Sequence, residues 1–155
     1  MKPLAAFAAA LLVVHGCVLC GCSSRTSEVE GLNSMEITFP NGKTVIAETK
    51  VSNSDQMLGM MFRDSLAKDR GMLFIHRTEA NVPYWMYQVR IPLDIIWMDH
   101  QRRIVEISAN TPACPSKSAH ECPSYGGHEK ARYVLELAGG GAALYGLKVG
   151  DTLSF

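Results

Sequence analysis

The chain has 155 residues, enough for one domain with a buried core. Its hydrophobic content of 47% and charged content of 19% are typical of a globular protein and exclude a disordered one. Fifteen Lys and Arg balance fifteen Asp and Glu, so no basic excess indicates nucleic acid and no acidic excess indicates a cationic partner.

The amino-terminal segment differs from the rest of the chain. Lys2 gives it a positive start, and residues 3–14 (PLAAFAAALLVV) are wholly apolar, which is typical of a secretory signal. The sequence LCGC at 19–22 then resembles a bacterial lipoprotein box, which implies cleavage after Gly21 and lipidation of the Cys22 thiol. An uncleaved membrane anchor or plain secretion is the alternative.

These features divide the chain into three parts. Residues 1–21 are a predicted lipoprotein signal peptide, 22–34 a Ser-rich flexible tether, and 35–155 a single globular domain. We therefore expect an exported protein anchored by lipid to a bacterial membrane. In a Gram-negative cell, Ser23 after the lipidated cysteine implies the periplasmic face of the outer membrane.

The globular part begins with a predicted β-hairpin and a short helix. Strands at 35–39 and 43–51 flank the dipeptide Asn41-Gly42, a strong signal for a two-residue turn. Asn53 and Gln56 have the spacing of a capping box, so a helix is predicted to begin there. One face of that helix would carry Met57, Met60 and Met61.

Short strands dominate the remainder of the chain. A long ordered loop rich in Pro, Ser and Cys is expected at 111–127, and a second short helix at 142–145 after three glycines. This order predicts a β-rich α+β domain, a small closed or half-closed barrel-like sheet with two short helices. The further strands are predicted at 72–75, 84–88, 91–98, 103–108, 132–137 and 152–155.

Several segments in order resemble domain-of-unknown-function family 192. They are LGMMFRDSL, GMLFI, YWMYQVRIPLDIIWMD, CPSYG, and ARYVLEL followed by GLKVGDTLSF, and together they span about 35–155. The usual helix-opening Arg of that family is Gln56 here, and its usual Trp-Met-Lys-Asn-Thr reads Trp-Met-Tyr-Gln-Val at 85–89. The resemblance implies a compact β-rich fold and frequent export, but no established reaction.

Two cysteines besides Cys22 remain after the predicted cleavage. Cys114 and Cys122 lie close together in the Pro-rich loop, which predicts a disulfide in an exported protein. The alternatives are a Zn²⁺ site that adds His120 and His128 to the two thiolates, and two free thiols.

Asp94 is the most conspicuous polar residue of the domain. It lies within an apolar run, where a buried carboxylate needs a partner such as Arg63, Arg90 or the Trp85 indole. A structural role for Asp94 is favoured over a catalytic one. Trp85 is either a core anchor or a platform for a ligand, and Tyr125 either lines a groove or holds the cysteine-bounded loop in place. The candidate pocket therefore consists of Arg63, Trp85, Asp94 and Tyr125.

Two other residue sets have a structural and a functional interpretation. Glu136, in a predicted strand, is expected to face solvent or to be paired. Six methionines, with His76 and Trp85 nearby, either fill an irregular core or form a soft Cu(I) site. These methionines are Met57, Met60, Met61, Met72, Met86 and Met98.

The sequence thus predicts a non-catalytic binding module of the bacterial cell envelope. Its partners would be the membrane, through the lipid anchor, and a small ligand, an envelope polymer or a protein. We expect no nucleic acid, cofactor or metal. The alternatives are an envelope enzyme with a pocket around Asp94, Arg63 and Trp85, and a Cu(I)-binding protein that uses methionines.

Overall fold

The computed structural model describes residues 33–155. The predicted signal peptide, the lipidation site Cys22 and nearly all of the tether lie outside this range. Within it, no helix has the length and apolar character needed to cross a membrane. The described strands are β1 (Ser34–Thr38), β2 (Thr44–Lys50), β3 (Arg70–Asn81), β4 (Tyr84–Trp85), β5 (Leu93–Met98), β6 (Ile104–Thr111), β7 (Ser124–Tyr125) and β8 (Lys130–Ala138). The helices are α1 (Asn53–Leu58) and α2 (Gly141–Tyr145), with a 3₁₀ turn at Ala119–Glu121.

Six strands form one mixed sheet in the order β1-β2-β3-β8-β5-β6. The β2–β3 pair is parallel and the other pairs are antiparallel. The chain's end connects the two edges, because Thr152 bridges to Arg103 before β6 and Ser154 bridges to Thr38 in β1. The sheet is therefore half-closed, and the predicted β-rich α+β class is confirmed. The predicted last strand at 152–155 is present only as these two isolated bridges.

Both faces of the sheet are buried, because successive residues of its central strands point to opposite sides. In β5, Ile96 and Met98 pack into a first core, under α2, while Ile95 and Trp97 pack into a second core. Within the strand predicted at 91–98, residues 93–98 thus alternate between the two cores. The second core extends beyond the sheet to the β4–β7 ribbon, whose Tyr84 and Tyr125 are paired.

Helix α1 differs from its prediction in its cap and its length. Ser52, one residue before Asn53, is the N-cap, and its Oγ accepts a hydrogen bond of 3.1 Å from the Asp55 backbone N–H. The helix ends at Leu58, because Gly59 follows with φ of +43°. The predicted methionine face is therefore wrong: Met57 is 62% exposed, whereas Met60 lies beyond the helix and is buried.

The loop between β6 and β8 is fixed at both ends. The predicted disulfide between Cys114 and Cys122 is present, and the Cys114 backbone N–H donates to the Met86 carbonyl oxygen at 3.2 Å. At the other end Gly126 has φ of +63°, and a Cβ there would lie 2.4 Å from the Trp97 ring. Only glycine fits this close approach. The segment 111–127, predicted as a long loop, contains two short regular elements, the 3₁₀ turn and β7.

Candidate functional site

A cavity of about 530 Å³ opens between α1, the middle of β3 and the β4–β7 ribbon, on the side of the second core. Its size falls in the range of small-molecule sites. Its walls are mainly apolar and aromatic, and they include Met57, Leu58, Phe74, Tyr84, Trp85 and Val89. Met57, Leu58 and Trp85 are 62%, 53% and 37% exposed, so the apolar surface continues to solvent.

Glu136 is the acidic side chain of this cavity. In β8 it pairs with Met72 of β3 and Ile95 of β5, and it alternates with Leu135 and Leu137, which face the first core. Its side chain therefore points to the second core and the cavity. The residue is only 4% exposed, and among the described residues its Oε2 has no hydrogen-bond partner. The expectation of a solvent-facing or paired carboxylate is wrong.

Burial decides the protonation state of Glu136. Removal from water disfavours the charged form and raises the pKa of Glu136 from 4.5 to about 8, although the positive charge of Arg63 acts in the opposite direction. Near pH 7 the carboxyl group is therefore mostly neutral. A neutral acid in a partly apolar cavity can donate a hydrogen bond as well as accept one.

His76 and Tyr84 form a second polar pair in the cavity wall. His76 Nε2 and the Tyr84 hydroxyl lie 3.1 Å apart. Burial lowers the pKa of His76, and the nearby Arg132 adds to this effect. Burial also raises the pKa of Tyr84, as does the charge of Glu136. Both side chains are thus held in their neutral forms.

Hydrogen bonds from Gln56 to β2 and β3 fix the helical wall of the cavity. Gln56 Nε2 donates to the backbone carbonyl oxygens of Lys50 at 3.1 Å and Ile75 at 3.0 Å. This joins α1 to the end of β2 and to β3, so the wall is held in place. Gln56 stands where the family usually has the helix-opening Arg, another long donor.

Arg63 lies beside the cavity and forms a bidentate ion pair. Its Nη2 donates to Glu48 Oε2 at 2.8 Å, and its Nη1 donates to Glu48 Oε1. Hydrogen bonding to Arg63 lowers the pKa of Glu48 to about 2, with a smaller contribution from Lys50. The Arg63 charge is therefore largely neutralised by a partner outside the cavity.

Two non-glycine residues with positive φ lie next to each other at the cavity margin. Phe62 has φ of +65° and Gln88 has φ of +58°, and the Phe62 N–H donates to the Gln88 carbonyl oxygen at 2.9 Å. This conformation costs a non-glycine residue roughly 1–2 kcal/mol. It ends the predicted strand at 84–88 early, after Trp85, and turns the chain along the cavity.

Asp94 lies on the opposite face of the sheet, fully buried in the first core. Its Oδ1 accepts from the backbone N–H groups of Asn110 at 2.6 Å and Gly140 at 3.1 Å, and its Oδ2 from Ala142 at 2.7 Å. The carboxylate thus joins β5 to the end of β6 and to the start of α2. Of the three glycines at 139–141, Gly140 is the one whose N–H binds this carboxylate.

The four candidate pocket residues do not all lie together. Trp85 lines the cavity, with its ring 5.8 Å from that of Tyr87. Tyr125 lies behind the wall, paired with Tyr84, and Arg63 lies at the side. Asp94 contacts none of the partners expected for it, and Arg90 instead pairs with Asp64. The sequence pattern did not indicate Glu136 and Gln56 as cavity residues, and it indicated His76 only as a neighbour of the methionines in the Cu(I) alternative.

The candidate metal ligands are divided between sites. Met57, Met60 and Met61 line the cavity together with His76. The other three methionines, Met72, Met86 and Met98, are fully buried in the two cores. The disulfide removes both thiolates of the Zn²⁺ alternative, and no group of three His, Cys, Asp or Glu suited to a metal occurs in residues 33–155.

The solved structures that are similar to this chain include the following two. One is that of "a putative transcription regulator" from Sinorhizobium meliloti 1021, with 29% identity, a TM-score of 0.65, and coverage of 77% of this chain and 89% of that one. The other is a protein of unknown function from Novosphingobium aromaticivorans DSM 12444, with 28% identity, a TM-score of 0.64, and coverage of 79% and 84%. No curated protein matches the chain. The model of a family described as "Uncharacterized ACR" matches residues 36–155, and the chain therefore belongs to domain-of-unknown-function family 192 (DUF192).

Proposed function

We propose that this protein is a non-catalytic binding module of the bacterial envelope, exported and anchored by lipid at Cys22, whose cavity takes a small amphipathic ligand. One observation carries the binding role: a cavity of about 530 Å³ with apolar walls contains a nearly buried carboxyl group with an unpartnered oxygen. Binding sites commonly combine an apolar lining with a few convergent polar groups.

The side chains in the cavity support binding better than catalysis. Nucleophilic catalysis needs a nucleophile activated by an adjacent base. His76 contacts the Tyr84 phenol, whose pKa is raised, so this pair supplies no activated nucleophile. The enzyme alternative relied on Asp94. This residue takes no part in the cavity, because its carboxylate oxygens accept hydrogen bonds from three backbone N–H groups on the other face of the sheet.

The role in the description of the Sinorhizobium structure, "a putative transcription regulator", is not part of the proposal, and neither is DNA binding. Proteins that bind DNA neutralise several phosphates with Lys and Arg. Here the fifteen basic residues are matched by fifteen acidic ones. The long basic Arg63 is moreover paired with Glu48.

The binding role is tested by a fragment screen with the purified protein, observed by NMR. Ligands should shift the indole N–H of Trp85, which lines the cavity, and the methyl group of Met57. Trp85→Ala should weaken binding, whereas Val149→Ala, which removes a side chain 61% exposed outside the cavity, should not. Binders that leave Trp85 and Met57 unshifted, or affinity equal in both variants, would contradict the proposal.

The location is supported by the pattern of residues 1–34 and has its own test. Cells grown with an alkyne-tagged fatty acid should label the protein, and the label should be found in the membrane fraction. Cys22→Ser should abolish labelling, whereas Cys17→Ser should leave it intact, since that cysteine belongs to the segment that is cleaved. Labelling that persists in Cys22→Ser would refute lipidation at this residue.

A soft-metal carrier is the second candidate, favoured by a single observation. Met57, Met60, Met61 and His76 line the same cavity, and thioethers with an imidazole suit Cu(I). Titration of Cu(I) against a competing chelator measures this directly. Binding tighter than micromolar that is lost when Met57 and Met61 are changed to Leu would favour the carrier over the amphipathic ligand.

A further inference from the structure

We propose that the ligand of this cavity is an amphipathic primary amine, whose ammonium group pairs with Glu136 while its apolar body lies along Trp85 and Met57. The inference rests on the proposed binding role and adds the chemistry of the ligand. It is argued from the partners available to Glu136, from the charges in the cavity walls and from the apolar path between the carboxyl group and solvent.

The first argument is that Glu136 has no internal partner for its Oε2. The residue is 4% exposed and lines the cavity, so its carboxyl group borders the space that a ligand would occupy. Burial raises the pKa of Glu136 and the positive charge of Arg63 opposes this rise, but both Nη atoms of Arg63 donate to Glu48 and are not available to Glu136. An ammonium group has three donors and no acceptor, which complements a carboxylate.

The second argument is the sign of the charges around Glu136. Its strand neighbours in β3 and β5 are the apolar Met72 and Ile95. From β4 it faces the neutral phenol of Tyr84, which is bonded to the neutral imidazole of His76. No Lys or Arg is among the described residues that line the cavity. An anionic ligand would therefore approach Glu136 without a counter-ion in the wall.

The third argument is the shape of the path to solvent. Trp85 and Tyr87 lie side by side at a ring-centroid distance of 5.8 Å and an angle of 47°, opposite the exposed side chain of Met57 on α1. This surface suits an alkyl chain or an aromatic ring. A ligand that is polar throughout would leave these apolar side chains in contact with water.

Binding of an amine must be coupled to release of a proton. Because burial raises the pKa of Glu136 to about 8, the carboxyl group of the free protein is protonated near pH 7. The incoming R–NH₃⁺ keeps its own proton, the Glu136 carboxyl loses one to solvent, and the products are the R–NH₃⁺···⁻OOC pair and H⁺. The amine, with a pKa near 10, stays charged up to about pH 9.

The test compares hexylamine with hexan-1-ol and hexanoate, which share the chain and differ in the head group. Isothermal titration of the purified protein should show that hexylamine binds most tightly. Its association constant should rise about tenfold from pH 7 to pH 9, as the ionised fraction of Glu136 increases, while that of hexan-1-ol stays constant. Titration at pH 7 in two buffers of different ionisation enthalpy should show release of about one proton per amine bound.

Matched variants assign the effect to Glu136. Glu136→Gln should lose both the preference for the amine and its pH dependence while it retains hexan-1-ol, which also reports that the variant is folded. Glu129→Gln, at an exposed position two residues before Ala131, should behave as the wild type. Proton release by the wild-type protein does not depend on the folding of either variant.

The outcomes separate this inference from the proposed function. Equal affinity for hexylamine and hexan-1-ol at both pH values, with shifts at Trp85, would refute the amine and leave the binding role standing. Tighter binding of hexanoate than of hexylamine would show that the cavity prefers an anion, and it would refute the proposed positive charge of the ligand. No binding of any of the three at the cavity would contradict both proposals.

Discussion

The unpartnered carboxyl group of Glu136 predicts an unusual pH dependence of stability. The folded-state pKa of about 8 lies above the unfolded value of 4.5, so the folded protein holds a proton that the unfolded chain releases. The contribution of Glu136 to stability is therefore fully present below pH 4.5 and is lost as the pH rises to 8. Between pH 5 and pH 8 this linkage removes about 3.5 kcal/mol from the free energy of unfolding.

The assay is urea unfolding of wild type and Glu136→Gln at four pH values from 5 to 8. The amide does not titrate, so the difference between the two proteins isolates Glu136 and cancels the other groups. From pH 5 to pH 8, we expect the free energy of unfolding of the variant to increase by about 3.5 kcal/mol relative to that of the wild type. Glu129→Gln, which changes an exposed carboxylate, is the control and should run parallel to the wild type. A difference that stays constant within about 1 kcal/mol would show that Glu136 is paired or solvated.

Three other perturbations test the structural features that hold the cavity in place, each by urea unfolding. Asp94→Asn should lower the free energy of unfolding by about 3 kcal/mol, because one of the three backbone N–H groups then faces the NH₂ group of the amide, another donor. Asp64→Asn, in an exposed ion pair, should lower it by less than about 1 kcal/mol. Gly126→Ala should cost at least about 2 kcal/mol, from positive φ and contact with the Trp97 ring, and an unchanged midpoint would refute that contact. Cys114→Ser should cost about 2.5 kcal/mol, the chain-entropy value for a separation of eight residues, and a loss below about 0.5 would mean that the loop is ordered without the disulfide.

The sequence predicts the sheet well because its signals are local. Asn41-Gly42 marks the first hairpin, but the predicted two-residue turn is wrong. The ladder ends at the pair Thr38 and Thr44, the Gly42 N–H donates to the Phe39 carbonyl oxygen, and Gly42 has φ of +80°. The alternation in β5 follows from the two-residue period of a strand, and both of its faces are buried. The disulfide follows from two cysteines close together in a loop. Each of these features depends on residues fewer than ten positions apart.

The partners of Asp94 could not be predicted because they are backbone groups from distant parts of the chain. The donors belong to residues 16, 46 and 48 positions away. A backbone N–H has no residue-type signal in the sequence, which therefore indicates only side-chain partners such as Arg63, Arg90 and Trp85. The pattern was sufficient to indicate a buried carboxylate that needs a partner, and it could not identify which atoms supply one.

Glu136 was misplaced for a different reason. In a sheet with one wet face, a carboxylate in a strand marks the solvent side. In β8 both faces are buried, so Val134 and Glu136 on one side and Leu135 and Leu137 on the other belong to two cores. The period of two predicts which residues share a face, and it does not show whether that face is dry or borders a cavity.

The cavity arises where the regular elements end. Helix α1 stops at Gly59, β4 stops after Trp85, and the positive φ values of Phe62 and Gln88 direct the chain around the opening. The family's usual residue at the position of Gln88 is Asn, which tolerates this conformation better than most residues. Strand periodicity therefore predicts the scaffold, whereas these irregular segments, which have no repeating pattern, shape the candidate site.

Stability and binding are opposed at Glu136. An apolar residue there would continue the second core from Val134 and would not lose free energy between pH 5 and 8. The fold therefore has no need of this carboxyl group, and its buried Oε2 is a cost that the protein alone does not offset. A ligand that donates a hydrogen bond to Oε2 removes the cost of burying this atom without a partner. That gain is made only in the complex, and it therefore adds to the free energy of binding. If an amine pairs with Glu136 as proposed, Glu136→Leu should yield a more stable protein at pH 8 that no longer distinguishes hexylamine from hexan-1-ol. A variant that gained stability while it kept this preference would show that Glu136 is not the group that selects the amine.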